Sequence, residues 1–387
     1  MKQIVVVGAG KIGSIVAELL AGSGDYRVTI ADREAARLTG LSPAIGREAT
    51  DIGDAGALKT LLEGRFAVIS AAPYHLTWQI ASAAKAAGAH YLDLTEDVAA
   101  TRAVRILAEG AGTAFIPQCG LAPGFISIVA HDMALRFDTL HDVRLRVGAL
   151  PVYPSNALSY NLTWSTDGLI NEYCEPCEAI VHGERRDTAA LEELESFALD
   201  GVAYEAFNTS GGLGSLCETL GGRVRNLNYR TIRYPGHAAI MKLLLNDLGL
   251  RRRRDVLKEI LETSIPETAQ DVVVVFVTVS GLRAGRLVQE TYAHKVYAGE
   301  VRGIAMSAIQ ATTASSVCTV LDLLAEGAIP AKGLVRQEEI ALAAFLDNRF
   351  GRVYARPEDG PRGGPEDGLW DRPNRRTGPA PRLDAAA

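Results

Sequence analysis

Apolar and polar positions alternate in two rhythms along the first 120 residues. Short apolar runs rich in β-branched residues, at 4–7, 27–31, 66–70, 90–94 and 114–117, read as buried strands. Between the first two, Ile12, Ile15, Val16, Leu19 and Leu20 recur at helical spacing and mark one face of a helix. Residues 75–87 read as a second helix stopped by Gly88, and a third lies between 94 and 114. Strand–helix alternation of this kind predicts an α/β unit with a doubly wound parallel sheet covered on both faces.

The rhythm changes near Gly120. Positions 142–147 and part of 272–279 alternate with period two, and 287–297 is a third strand candidate. Strands with few helices between them predict an α+β domain built on a largely antiparallel sheet, open to solvent or a partner on one face. The stretch 272–277 is apolar enough that one face is expected to need cover. A long helix from Gly303 to about Glu326 and a short one over 337–346 are expected to return to the first unit. The predicted organisation is therefore 1–121 plus 303–352 for the first domain, with 122–302 inserted as the second. Residues 353–387 are expected to be a disordered tail. Six Pro and five Gly fall from Ala355 onward, too little apolar surface to offset chain entropy.

A length of 387 residues fits two domains. Forty Lys and Arg against 46 Asp and Glu give a net charge of −6, which argues against a nucleic-acid partner. Arg251 to Arg254 form one isolated basic run, read as a solvated helix face. No uninterrupted run of 18 apolar residues is present, so no membrane span is expected. Met1 runs directly into strand-like sequence, from which a cytoplasmic location is expected. Five Cys in a chain this long do not make a disulfide framework, and the lone CxxC at Cys174 and Cys177 does not predict a metal site.

Candidate chemistry begins after the first strand. Gly8-Ala9-Gly10-Lys11-Ile12-Gly13 matches G-x-G-x-x-G in its required place between a strand and a helix. Gly8 permits the tight turn, Gly10 lets a pyrophosphate approach the backbone, and Gly13 lets helix and strand pack closely. The helix N-terminus offers unpaired N–H groups to the phosphates. Asp32, 19 residues after Gly13, ends the second strand where a carboxylate accepts the ribose hydroxyls and repels a 2′-phosphate. That favours NAD over NADP in a Rossmann domain. Arg33 either stacks on adenine or pairs with a 2′-phosphate. Asp51 beside Ile52 either reaches the adenine amine or caps a helix. Ala71-Ala72-Pro73 are small enough for a cofactor to lie across the strand ends.

Several further segments carry a family resemblance: Ala72-Pro73-Tyr74, Gly120-Leu121-Ala122-Pro123-Gly124, YNLTWSTDG from Tyr160, EAFNTSGG from Glu205 and NYRTIRYPGH from Asn228. Together with the glycine motif, they make the chain resemble the saccharopine dehydrogenase family from Met1 to about Ala355. It is most similar to the shorter branch that includes L-lysine 6-dehydrogenase. The resemblance implies a Rossmann domain with an inserted substrate and dimerisation domain. It also implies NAD(P)-dependent oxidation of a C–N bond in lysine metabolism, and a homodimer or higher homo-oligomer. An amino acid is the expected partner. The expected reaction is oxidative deamination of the lysine ε-amine to 2-aminoadipate 6-semialdehyde. Glutamate-forming saccharopine dehydrogenase is the alternative.

Within those segments, Tyr74, Asp93 and Thr95 follow strands and are expected near the nicotinamide. Asp167, Asn208, Thr209, Ser210, Arg233 and His237 are expected from the second domain. Arg233 reads as a clamp for the substrate carboxylate or as a structural ion pair. His237 reads as an acid or base, or as a packed histidine. Tyr74 either orients the reacting amine or packs. The base stays open among Tyr74, Asp93, Asp167 and His237. The longer branch of the family has an Arg in the segment that here reads Ser165-Thr166-Asp167-Gly168. Asp167 in its place suits an ammonium group, hence lysine over the three-carboxylate saccharopine.

Overall fold

The computed structural model describes residues 1–301 and 303–355. Seven parallel strands form its first sheet, in the order Gly333–Leu334, Ala114–Ile116, His90–Asp93, Ala67–Ser70, Lys2–Val7, Tyr26–Asp32, Gly46–Ala49. Helices cover both faces, because the strand interiors are apolar on both sides: Ile4, Val5, Val6 and Val7 are all fully buried. Strand order reverses between Lys2–Val7 and Ala67–Ser70, and the crevice at their carboxyl ends is where such sheets take ligands.

The second sheet has eight strands. Its main path runs Glu195–Leu199, Val202–Asn208, Val224–Arg233, Thr139–Pro151, Asp271–Arg283, Arg286–Tyr297. The sheet is mixed, not wholly antiparallel: its central pair, Val224–Arg233 with Thr139–Pro151, is parallel. One expectation is corrected here. Val272, Val273, Val274 and Val275 are all buried within the chain itself. The odd positions join the core under the helices Phe125–Ala134 and Ala308–Glu326, and the even ones pack with Leu150, Tyr204, Ala206 and Ile232. Their apolar pattern therefore needs no partner to account for it.

The long return helix begins at Ala308, later than expected. Residues Ile304–Met306 pair with Gly299–Val301, and Ser307 then caps the helix in a capping box with Gln310. It packs on the helix Lys11–Gly22 and on the strand Asp271–Arg283, so it joins the two domains. By length and composition it would suit a membrane, but 83 % of its apolar window lies inside the fold, as a core helix does. The expected helix over 337–346 is two pieces, a 3-10 turn Gln337–Glu339 and a helix Leu342–Asp347, because Ile340 and Ala341 are extended. Val353 and Tyr354 belong to the core: the Tyr354 ring stacks on Phe125 at 3.8 Å. The expected tail beyond Ala355 lies outside the described residues.

Asp271 ties the second sheet to the long helix. Its carboxylate is fully buried and accepts the N–H groups of Ala308 and Ile309. Replacing it with Ala leaves both donors unpaired in the core. The expected loss is roughly 2 kcal/mol, read as a shift in the urea midpoint at unchanged slope.

Candidate active site

A cleft of about 1650 Å³ opens between the domains at the carboxyl ends of the parallel strands. Single small-molecule sites usually occupy about 300–1,000 Å³, so there is room for a dinucleotide and a second ligand. The glycine loop forms one end. A Cβ at Gly8 would lie 2.7 Å from the Ala71 carbonyl, and one at Gly13 only 1.9 Å from the Gly8 carbonyl, while one at Gly10 would meet nothing within 4 Å. Gly8 and Gly13 are thus required by the chain's own packing, and Gly10 leaves open space at the N-terminus of a twelve-residue helix. This cradle fits a pyrophosphate.

The other expected cofactor residues gather around it. Lys11, Ile12, Asp32, Arg33, Asp51, Ile52, Ala71, Ala72 and Pro73 all line the cleft. Asp32 accepts the Ala9 N–H at 2.8 Å and the Glu34 N–H at 2.9 Å, one on each oxygen, leaving lone pairs for hydroxyl donors. Arg33 is exposed, 3.9 Å from Glu34. Lys11 reaches across the cleft to Glu267 at 2.7 Å. Asp51 makes a local turn to the Gly53 N–H, and the helix cap expected of it is supplied by Asp54, which accepts from Gly56 and Ala57.

At the substrate end the expected residues divide. Tyr74, Asp93, Thr95, Asp167 and Arg233 line the cleft. Asp93 is a buried hub, accepting from Tyr91 Oη at 2.9 Å and from the N–H groups of Thr95 and Gln118 at 3.1 and 2.8 Å. Burial pushes its carboxyl up to about 6 against these hydrogen bonds. Asp167 sits in the exposed first turn of the helix Thr166–Cys174 and is paired with Lys258 at 2.6 Å. Asn208, Thr209, Ser210 and His237 do not face the cleft. Asn208 holds Thr188 and Arg230, Thr209 holds Thr231, and Ser210 holds the Pro176 carbonyl. His237 lies behind Arg233 between Tyr173 and the Leu158 carbonyl, and burial beside that arginine pulls its imidazole down to about 3. A histidine held neutral and out of the cleft is not placed to exchange protons with a substrate. Arg254, from the basic run, departs from the solvated face: it pairs with Glu175 at 2.5 Å and lines the cleft.

Two acids absent from the expected set complete the site. Glu96 follows Thr95 in the loop after the strand His90–Asp93, and Glu172 comes from the middle of the helix Thr166–Cys174. Neither forms an ion pair among the described residues; the Glu96 carboxyl accepts from its own backbone N–H, and Glu172 makes no side-chain hydrogen bond there. Desolvation pushes Glu96 up to about 7 and Glu172 up to about 8. The sequence does carry one signal: Leu169, Glu172 and Tyr173 share a buried helix face, and an acid on such a face is out of place unless it has work to do. Arg233 faces the same space, 3 % exposed and without a carboxylate within ion-pair distance. One unpaired guanidinium and two unpaired acids therefore share one cavity.

Comparisons with known proteins agree with this architecture. The profile of the saccharopine dehydrogenase NADP binding domain matches residues 4–116, and that of the saccharopine dehydrogenase C-terminal domain matches residues 120–350. Mitochondrial alpha-aminoadipic semialdehyde synthase of Mus musculus is 24 % identical over 195 residues, 47 % of this chain and 21 % of that protein. The chain thus matches about a fifth of that relative's length. The fold is also that of the apo saccharopine dehydrogenase (L-Glu forming) from Saccharomyces cerevisiae, with a TM-score of 0.74 at 18 % identity over 91 % of this chain and 98 % of that one.

Proposed function

The chain belongs to the saccharopine dehydrogenase family of nicotinamide-dependent oxidoreductases in lysine metabolism, and within it we propose that this protein is an L-lysine 6-dehydrogenase using NAD. The observation that carries this reading is the charge inventory of the cavity: Arg233, Glu96 and Glu172 all line it, none of the three is in a salt bridge among the described residues, and Arg233 is near enough to favour the ionised form of Glu172. Lysine brings one carboxylate and two amines, which complements one cation and two acids. Saccharopine brings three carboxylates and would place them against those acids. The acid expected at Asp167 to receive an ammonium is neutralised by Lys258, and Glu96 and Glu172 take over that part.

Water, NAD⁺ and the lysine ε-ammonium give 2-aminoadipate 6-semialdehyde, ammonium, NADH and one proton. Gly8, Gly10 and Gly13 would hold the pyrophosphate and Asp32 the ribose. When bound, the nicotinamide supplies the hydride acceptor. Arg233 anchors the α-carboxylate. An ε-ammonium, with a reference pKa of about 10.4, must shed a proton before hydride can leave its carbon. Glu172, raised to about 8, is suited to take that proton. Glu96 stands beside it as a second acceptor. Asp32 supports NAD over NADP, because its carboxylate repels a 2′-phosphate. The matched domain's description names NADP, so both cofactors belong in the test.

Arg102, Arg105 and Arg185 offer the alternative, glutamate-forming reading its best footing. They line a small pocket that shares Tyr229 with the cleft, but each is already paired with Glu178 or Glu218. The test is initial-rate reduction of NAD and NADP at alkaline pH with L-lysine and saccharopine in parallel. Turnover of lysine with stoichiometric ammonium, rising with pH and faster with NAD, is expected. Turnover of saccharopine alone, with glutamate released, would reassign the enzyme.

A further inference from the structure

Arg233 ends the strand Val224–Arg233, and its guanidinium is held from three sides. Nε donates to the Tyr173 hydroxyl at 3.0 Å, Nη1 donates to the Ile232 carbonyl at 2.8 Å, and the Tyr160 ring lies 5.0 Å beneath the guanidinium carbon. Nη2 makes no hydrogen bond among the described residues. Behind Tyr173 the chain of bonds continues. Its hydroxyl lies 3.0 Å from His237 Nε2, and His237 Nδ1 lies 3.0 Å from the Leu158 carbonyl. A carbonyl only accepts, so Nδ1 carries the proton and Nε2 is an acceptor. Tyr173 must therefore donate to His237, which turns its oxygen lone pairs toward Arg233 Nε–H. All three groups are buried, and this is the one direction of donation that satisfies every member. Thr163 has a buried Oγ1 near the Tyr160 hydroxyl, and it lines the cleft as Arg233 does.

We propose that Tyr173 and His237 are positioning residues that aim the free edge of Arg233 at the substrate's α-carboxylate, so that the enzyme selects amino acids over amines lacking that group. The inference rests on the reading of this cleft as an amino-acid site. It gives His237 a role that requires it to stay neutral and away from the reacting atoms, as its burial beside Arg233 ensures.

The test is calorimetric titration of the NADH-saturated protein, which cannot oxidise an added amine, with L-lysine, saccharopine and 1,5-diaminopentane, which is lysine without its carboxylate. It is run on wild type, Tyr173→Phe, His237→Asn and His237→Gln, each first shown folded by thermal unfolding. Tyr173→Phe removes one oxygen and keeps the ring. His237→Asn retains a donor for Leu158 but loses the acceptor for Tyr173, and His237→Gln restores an acceptor. Tyr173→Phe and His237→Asn are expected to weaken the carboxylate-bearing ligand roughly 10- to 100-fold, with 1,5-diaminopentane unchanged and affinity partly rescued in His237→Gln. An equal loss for both ligand types, or none for either, overturns the relay while the amino-acid reading stands. Wild type that binds neither lysine nor saccharopine overturns that reading and the inference with it.

Discussion

Replacing Glu172 with Gln is expected to lower kcat for lysine about 10²- to 10⁴-fold while making the protein more stable at alkaline pH. The two effects have one cause. Burial raises the Glu172 carboxyl from 4.5 to about 8, so the folded state resists its ionisation. The stability this group contributes is fully present below pH 4.5 and is lost as pH rises through about 8, because the unfolded chain ionises freely over that range. Glu96, raised to about 7, adds a loss of the same sign. A neutral amide of the same shape has no such dependence. Wild type and Glu172→Gln should therefore unfold alike near pH 4.5, and the variant should gain on the order of a few kcal/mol by pH 9. Activity runs the other way: the wild-type rate rises through the same window as the base ionises. Denaturant unfolding and steady-state rates across pH 5–9 check both limbs. A stability difference independent of pH would show that Glu172 is not held protonated by its surroundings, and an unchanged kcat would remove it from the proton transfer.

The second large effect separates folding from cofactor binding inside one motif. Gly10→Val is expected to leave the melting temperature within about a degree of wild type and to abolish dinucleotide binding. A Cβ there meets nothing within 4 Å, in the space a pyrophosphate would occupy at this helix N-terminus. Gly13→Ala is expected to do the reverse in order of cause. Its Cβ would sit 1.9 Å from the Gly8 carbonyl, so helix and loop must separate, at roughly 1–3 kcal/mol, and cofactor affinity falls because the loop has moved. Thermal unfolding and quenching of protein fluorescence by NADH distinguish the two. A Gly10→Val protein that binds NADH normally would remove the phosphate from this loop. A Gly13→Ala protein as stable as wild type would show that the contact can relax.

Much of this protein is written locally. The glycine motif, the acid 19 residues later and the β-branched strands of the first sheet depend on neighbours a few residues apart, so period and spacing reveal them. The helix stop at Gly88 is local for the same reason, since its φ of +66° suits glycine. The cofactor end of the cleft was legible because one loop and two strand ends build most of it.

The substrate end was not. Glu96 and Glu172 lie in different domains, and neither sits in a motif of its own; only the fold sets both in one cavity with Arg233 and leaves neither in a salt bridge among the described residues. Asp167 and His237 show the converse. Their residue types suit proton chemistry, yet Lys258 neutralises one and burial behind Tyr173 and Arg233 keeps the other uncharged. Composition and spacing determined the fold class, the nicotinamide cofactor site and the residue types available for catalysis. Tertiary structure decided which of those groups are desolvated, which are paired and which face the cleft, because charge and acidity depend on surroundings that long-range packing assembles.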